Sequence, residues 1–445
     1  MLQKRLSTTV LQPLNDSGRS VFSDSLVPGA LLAVVVAIGH FGFWIWLFNR
    51  VNSTGLPRKT IKRSEKLIVL VCGVLPVALV WHAVRLLSTA NSPSDASMLN
   101  QIESSLAFAY CVSVGLFAFA MTPFWLAARP HFAIAKDRYA VIEAKDLNQL
   151  QHPAANAKQY ISGARFRRMA KLPGNQIVSI QRNQKRLYIE DLPEDMVGVR
   201  IAHLSDIHLT GQLSTSFYRL AMDWVCEQTP DLIVLSGDIV DYESEITQLQ
   251  AVFDGLKARL GMHFILGNHD KRLPVPTAVC DGLVSMGWTD LGRAEALVRN
   301  GATQIRLLGN ELPWFRRGTV PSTTPSTTPN TASSIAPSDL SLRRESNAAE
   351  WILGVSHSPD QFKWGISNRC NLLLCGHTHG GQIRLPILGP VVAPSKYGSR
   401  FASGVFFSDP TLMHVSRGVS GVHPYRWGCI PEVSILELAD FKAKV

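Results

Sequence analysis

The sequence predicts N-terminal transmembrane α-helices followed by an α/β domain, and two observations carry that prediction. Three long runs without a charged side chain occupy residues 26–130, and five short apolar runs in the second half each stop at a cluster of metal-ligand residue types. The length of 445 residues accommodates both parts, about three membrane helices and one domain of about 260 residues.

A tail, residues 1–25, comes first. Residues 26–48 are uncharged and long enough to cross a hydrocarbon core of roughly 30 Å. Residues 67–84 and 104–128 are the second and third such runs. Pro28, Pro76 and Pro123 fall inside them, which is tolerated when neighbouring helices satisfy the freed backbone groups. A cleaved signal peptide is the competing reading of the first run, but that run starts late and two more follow it. Trp44, Trp46, Trp81 and Trp125 lie within the runs or toward their ends, in keeping with a membrane interface.

Charge sets the expected orientation. The loop between the first two runs carries Arg50, Arg58, Lys59, Lys62, Arg63 and Lys66 against Glu65, whereas residues 86–103 contain no Lys or Arg. Beyond the third run come Arg129, Lys136, Arg138 and Lys145. The positive-inside rule then puts the first loop and everything after the third run in the cytoplasm, with the cell inner membrane as the expected location. Lys4, Arg5 and Arg19 weigh slightly against it. Residues 131–175 read as a basic juxtamembrane linker and 176–445 as the α/β domain, with residues 176–189 as an attached hairpin. The formal charge of +10 raises nucleic acid as a partner, but much of the excess lies beside membrane runs, where anionic headgroups attract it. The seven cysteines show no paired spacing, so no disulfide framework is expected.

The five short runs are VRIAHL (199–204), DLIVL (231–235), HFIL (263–266), WILGV (351–355) and NLLLC (371–375). Rich in Val, Ile and Leu and bounded by Gly, Asn, Asp and Ser, they read as buried strands. They end in SDIHL, SGDIVD, GNHD, SHSPD and GHTHGG, which deliver Asp206, His208, Asp238, Asn268, His357, His377 and His379. Ligands of open sheets lie beyond one end of the strands, so these residues are expected to meet at one sheet rim. Asp206 and His208 are two apart in an extended segment and share a face, as do His377 and His379. Imidazole and carboxylate without thiolate suit Mn, Fe or Zn. Seven candidates exceed one tetrahedral site and match two divalent ions sharing a carboxylate, with the central Asp238 as the natural bridge. His203, inside the first of these strands, reads as structural.

These blocks, in this order, resemble the signatures of calcineurin-like metallophosphoesterases. The resemblance covers approximately residues 187–438. It implies a two-layer β-sandwich flanked by helices, the metallophosphoesterase fold, with one ion on Asp206, His208 and His379, the second on Asn268, His357 and His377, and Asp238 between them. It further implies that His269 stabilises the transition state or protonates the leaving oxygen, and that Asp241 orients it. Tyr242 and Glu243 follow Asp241 where the Ser/Thr protein phosphatases carry Arg-Gly, and Asp270 stands where they carry Glu; a protein phosphatase is therefore not expected. GHTHGGQIRLP and SRGVSGVHPYRWGCIPEVSILEL look like a bacterial membrane-associated phosphodiesterase subgroup, some relatives of which hydrolyse UDP-diacylglucosamine.

The expected activity is hydrolysis of a phosphodiester or pyrophosphate in a small-molecule or lipid-linked substrate. The alternatives are a phosphodiesterase on soluble nucleotides or nucleic acid, or a membrane sensor that keeps the fold without turnover. Arg417, His423 and Arg426 are candidates for binding substrate phosphate, since guanidinium groups fit phosphate oxygens in pairs; the competing reading is that they pin the terminal loop. Residues 318–346 (GTVPSTTPSTTPNTASSIAPSDLSLRRES) are rich in Ser, Thr and Pro, and are expected to be a disordered insertion because they offer little to a core.

Overall fold

The computed structural model describes residues 17–89, 98–127, 140–148, 159–315 and 350–444. The 318–346 insertion and parts of the N-terminal tail and juxtamembrane linker lie outside the described residues.

The three uncharged runs form α1 (Ser17–Asn52), α2 (Arg58–Thr89) and α3 (Met98–Ala127). Within them Ala30–Asn52, Arg58–Leu86 and Gln101–Leu126 are long and apolar enough to cross a membrane. Most of their large side chains face outward, Phe119 at 82% and Trp81 at 72% exposure, which suits lipid as the surrounding medium. The few polar groups inside are paired. His40, 3% exposed, has Nδ1 2.6 Å from Tyr110 Oη and Nε2 2.9 Å from the Cys72 carbonyl, and Trp44 Nε1 donates to the same Tyr110 hydroxyl at 3.1 Å. Side chains of this kind link helices where no water can serve as partner.

The domain that follows is built on two sheets. Its strands are β1 (Ala140–Asn148), β2 (Ile180–Ile189), β3 (Arg200–Leu204), β4 (Leu232–Ser236), β5 (Met262–Ile265), β6 (Trp288–Asp290), β7 (Ala296–Asn300), β8 (Thr303–Asn310), β9 (Glu350–Ser356) and β10 (Leu372–Cys375). After these come β11 (Arg384–Leu385), β12 (Gly389–Pro390), β13 (Gly404–Ser408), β14 (Thr411–Val415) and β15 (Glu432–Asp440). One sheet has the order β1-β2-β15-β3-β4-β5-β6, the other β13-β14-β10-β9-β8-β7, and β11-β12 form a separate hairpin. Helices α4 (Ala164–Met169), α5 (Thr215–Gln228), α6 (Leu249–Phe253), α7 (Thr277–Ser285) and α8 (Phe362–Ser367) complete the domain.

Alternation explains the layering. In β4, Leu232 and Val234 join Ile201, Leu353, Val355, Leu372 and Leu374 in the core between the sheets, whereas Ile233 and Leu235 join Phe217, Ala221 and Val225 of α5 on the outer face. Strands buried on both faces read as unbroken apolar runs, which is why the five short runs showed no polar alternation. Leu373, Met413 and Phe362 form a third cluster outside the other sheet.

Residues 180–189 form the single strand β2, between β1 and β15, in place of the expected hairpin. Part of the expected linker folds as β1 and α4, so the domain reaches back beyond residue 176. Nor is the ligand rim one sheet: β3, β4 and β5 are parallel in the first sheet, and β9 and β10 are parallel in the second. The ligands approach from both.

Candidate metal centre

All seven candidate ligands follow the carboxyl ends of β3, β4, β5, β9 and β10 and converge. Asp206, His208, Asp238, His377 and His379 all have φ between +49° and +72°. That left-handed conformation is costly for residues with a Cβ and concentrates where function over-determines the backbone. Two glycines of the motifs are required by crowding. A Cβ on Gly267 would lie 2.2 Å from Asp238 Oδ1, and one on Gly376 would lie 2.4 Å from Asp206 Oδ2.

Two adjoining groups result. In one, His379 Nε2 lies 3.6 Å from Asp206 Oδ1 and 3.2 Å from His208 Nε2. In the other, His357 Nε2 lies 3.2 Å from Asp238 Oδ2 and 3.2 Å from Asn268 Oδ1, with His377 completing the set. Asp238 Oδ2 is also 3.6 Å from His208 Nε2, so its carboxylate faces both groups. Asp206, His208, Asp238 and His357 are all but fully buried.

The surrounding atoms fix which nitrogen faces inward. His357 Nδ1 donates to the Ser236 carbonyl at 2.7 Å, and His208 Nδ1 donates to Asp241 Oδ2 at 2.8 Å, which leaves each Nε2 lone pair toward the centre. The backbone N–H of His377 donates to Asp206, and that of His269 to Asp238 Oδ1 at 2.7 Å. Asp270, fully buried, accepts from the N–H groups of Ile239, Val240 and Gly267 and so ties the Asp238 loop to the Asn268 loop. Burial pushes its carboxyl up to about 7, and the Asp238 charge adds to the rise.

This donor set fits divalent cations. His377 Nε2 is buried without a hydrogen-bond partner, an expensive arrangement that a metal would relieve. Burial lowers His377 to about 3 and holds His379 well below the usual imidazole range, so both are neutral and carry a lone pair for a metal. His357 goes the other way. Burial opposes its charge, yet Asp238 raises it to about 9; this carboxylate calls for positive charge beside it. Divalent ions held by these groups would polarise a phosphoryl oxygen and acidify water.

His269 stands at the edge of the centre, its Nδ1 hydrogen-bonded to Asp241. Burial lowers it to about 4, while the Asp238 and Asp241 carboxylates push upward. Asp241 therefore contacts two rings, His208 as well as His269, whereas the sequence assigned it to His269 alone. In the terminal loop the contacts of the two arginines fit the reading in which they pin it. Arg426 is fully buried, donating to the Arg417 and Ser420 carbonyls, with Nη2 3.2 Å from His379 Nδ1. Arg417 pairs with Glu432 at 2.8 Å and with Gln181 at 2.9 Å. Both guanidinium groups are engaged inside the fold, Arg417 by a carboxylate and Arg426 by backbone carbonyls, and brace the loop behind His379. His423 alone of the three is exposed.

Two contributors escaped the sequence reading. Arg272 Nη1 lies 2.6 Å from His269 Nε2, and its place three residues after His269 in GNHDKR was the available signal. Trp314 packs its ring 4.9 Å from His377 and 5.3 Å from His357; nothing local marks it. His203 is structural as expected, but it belongs to a buried chain from Ser236 Oγ (2.9 Å) through His414 Nδ1 (2.8 Å) to Lys185.

The calcineurin-like phosphoesterase family profile matches residues 199–381, the stretch that carries all seven candidate ligands. A metallophosphoesterase of Bacillus subtilis strain 168, YkuE, is 31% identical over 252 residues, covering 56% of this chain and 81% of that protein. Phosphodiesterase YaeI of Escherichia coli K12 is 29% identical over 245 residues, covering 54% of this chain and 82% of that one. A transmembrane protein with metallophosphoesterase domain from Danio rerio is 29% identical over 238 residues, 52% of this chain and 50% of the fish protein. With the fold, the donor set and these relatives in agreement, the chain belongs to the calcineurin-like phosphoesterase family and is a metal-dependent phosphoester hydrolase.

Proposed function

We propose that the protein is a membrane-anchored, dinuclear phosphodiesterase or pyrophosphatase acting on a lipid-linked substrate such as UDP-diacylglucosamine. The observation that carries this reading is the co-occurrence, in one chain, of two ligand groups facing a shared Asp238 with three helices of bilayer-crossing length. Asp206, His208 and His379 would hold one ion and Asn268, His357 and His377 the second, each Mn, Fe or Zn. His269, held by Asp241, would place a proton on the leaving oxygen, and Arg272 would add charge at the same edge. The basic loop between α1 and α2 favours a cytoplasmic domain at the cell inner membrane.

The test uses the full-length protein in nanodiscs. Metal content is measured first. Turnover of an aryl phosphomonoester, an aryl phosphodiester and UDP-diacylglucosamine is then compared. Two metals per chain and preferred hydrolysis of the lipid pyrophosphate are expected. Hydrolysis confined to soluble nucleotides or oligonucleotides would replace this reading with the soluble-diester alternative.

A further inference from the structure

The segment immediately after the last two candidate ligands, GQIRLPILGPVVAP, folds into the β11–β12 hairpin. Surface turns ordinarily carry polar residues or glycine. Here Ile383, Leu385, Leu388 and Val392 are exposed, and Ile387 at the tip is 86% exposed. Ile387 also has φ +65°, where glycine or asparagine sits freely and a β-branched residue is strained. Two separate costs are thus borne at one position to present one apolar side chain.

The base of the hairpin is locked to the metal centre. Arg384 Nε donates to the Gly380 carbonyl at 2.9 Å, Ile383 bridges to Trp427, and Gly381 packs so tightly on Pro390 that a Cβ there would come within 2.5 Å. The segment that follows β12 is gripped by the last turn of α1. Trp46–Glu65 belongs to the same compact unit as the catalytic domain. Asn49, 4% exposed, accepts from the Ala393 N–H at 3.0 Å and donates to the Val391 carbonyl at 3.5 Å, while Arg50 donates to the Lys396 carbonyl at 3.2 Å. Asn49 lies within Trp46–Asn52, the carboxyl-terminal part of the bilayer-length stretch Ala30–Asn52 that belongs to the catalytic unit. Arg58, Lys59, Lys62 and Arg63 are exposed on the first turns of α2.

We propose that residues 383–392 form an interfacial lip that enters the headgroup-to-acyl boundary of an anionic bilayer. Exposed aliphatic side chains in one short segment, hydrogen-bonded just beyond it to Asn49 and Arg50 and sharing a compact unit with the exposed Arg58, Lys59, Lys62 and Arg63, are the chemistry that a lipid surface recognises. The lip starts two residues after Gly381, so it sets the mouth of the metal centre at the membrane surface. A lipid-linked phosphate reaches the ligands there without its acyl chains leaving the bilayer. That last consequence rests on the lipid-linked substrate proposed above; insertion of the lip does not.

The experiment separates the two. In full-length protein with Cys72, Cys111 and Cys226 changed to Ala, Ile387→Cys is labelled with the fluorophore NBD and placed in phosphatidylcholine nanodiscs containing phosphatidylglycerol. Blue-shifted emission, quenched by lipids carrying a nitroxide at a shallow acyl position and insensitive to aqueous iodide, is expected. Quenching by iodide alone overturns insertion. In parallel, Ile387→Asn, which relieves the backbone and removes the apolar tip, is expected to leave kcat/KM for bis-p-nitrophenyl phosphate unchanged and to lower turnover of nanodisc-embedded UDP-diacylglucosamine about tenfold. Unchanged lipid turnover in this variant overturns the role of the lip in substrate access. Insertion with no lipid turnover by either protein refutes the lipid substrate and leaves the lip standing.

Discussion

Asp241 offers the sharpest test of how the centre is held. Its carboxylate, 7% exposed, takes Nδ1–H of His208 on one oxygen at 2.8 Å and contacts Nδ1 of His269 with the other. Asp241→Asn keeps the shape but provides one acceptor and one donor. The amide satisfies only one ring as before and forces the other to accept at Nδ1, which moves its proton to Nε2. On His208 that proton lands on the atom 3.6 Å from Asp238 Oδ2 and 3.2 Å from His379 Nε2, where a lone pair toward metal is required. On His269 it removes the carboxylate that favours the charged ring. One charge-assisted hydrogen bond inverted at a buried site corresponds to about 3 kcal/mol, or roughly 10²-fold, in line with outer-shell losses at metal sites. We therefore expect kcat/KM on bis-p-nitrophenyl phosphate to fall about 10²-fold in the Asp241→Asn protein. Metal analysis tells which ring inverted, since His208 inversion lowers occupancy and His269 inversion preserves it. Activity within about threefold of the parent at full metal content would refute the two-ring role.

Three further outcomes follow from the same geometry. Asp238→Asn removes the carboxylate that faces both ligand groups, and should lose metal together with about 10³-fold or more of activity, read by elemental analysis and diester turnover. Glu432→Gln breaks a buried cluster with Arg417 (2.8 Å), Lys185 (3.4 Å) and Asn183 (2.7 Å), and should destabilise the domain by about 3 kcal/mol in thermal or denaturant unfolding. Burial alone would raise the Glu432 carboxyl, but Arg417 and Lys185 hold it well below the usual range. Its stabilisation is therefore complete above the unfolded carboxyl pKa of about 4.3 and is lost as pH falls below that, so the melting difference between parent and variant should narrow in acid. Replacing residues 318–346 by a short Gly/Ser linker should leave metal content and diester turnover unchanged, because no candidate ligand lies within it.

Much of the centre was legible because its information is local. A strand buried on both faces must be an apolar run, and a ligand loop at its end must begin within a residue or two. VRIAHL-SDIHL and NLLLC-GHTHGG therefore declare both strand and site in one reading. The membrane helices were legible for a similar reason, since a span without water needs an uninterrupted apolar stretch. What the sequence by itself determined was thus the list of candidate ligands, their order and the presence of bilayer-length helices.

Only the tertiary structure decided which side chains serve the site from a distance. Arg417 and Arg426 look like phosphate ligands in a glycine-rich loop, yet Glu432 and the buried carbonyls of Arg417 and Ser420 occupy them, and those partners come from β15 and from the loop's own closure. Trp314, His414 and Lys185 reach the centre or its support only after β8, β14 and β2 have taken their places in the sheets. Asn49, in the first helix, meets Val391 and Ala393 more than 340 positions later. The physical reason is common to all of them: pairing of a buried polar group is settled by what the packed fold brings within hydrogen-bond distance, and no periodicity of neighbouring residues encodes that.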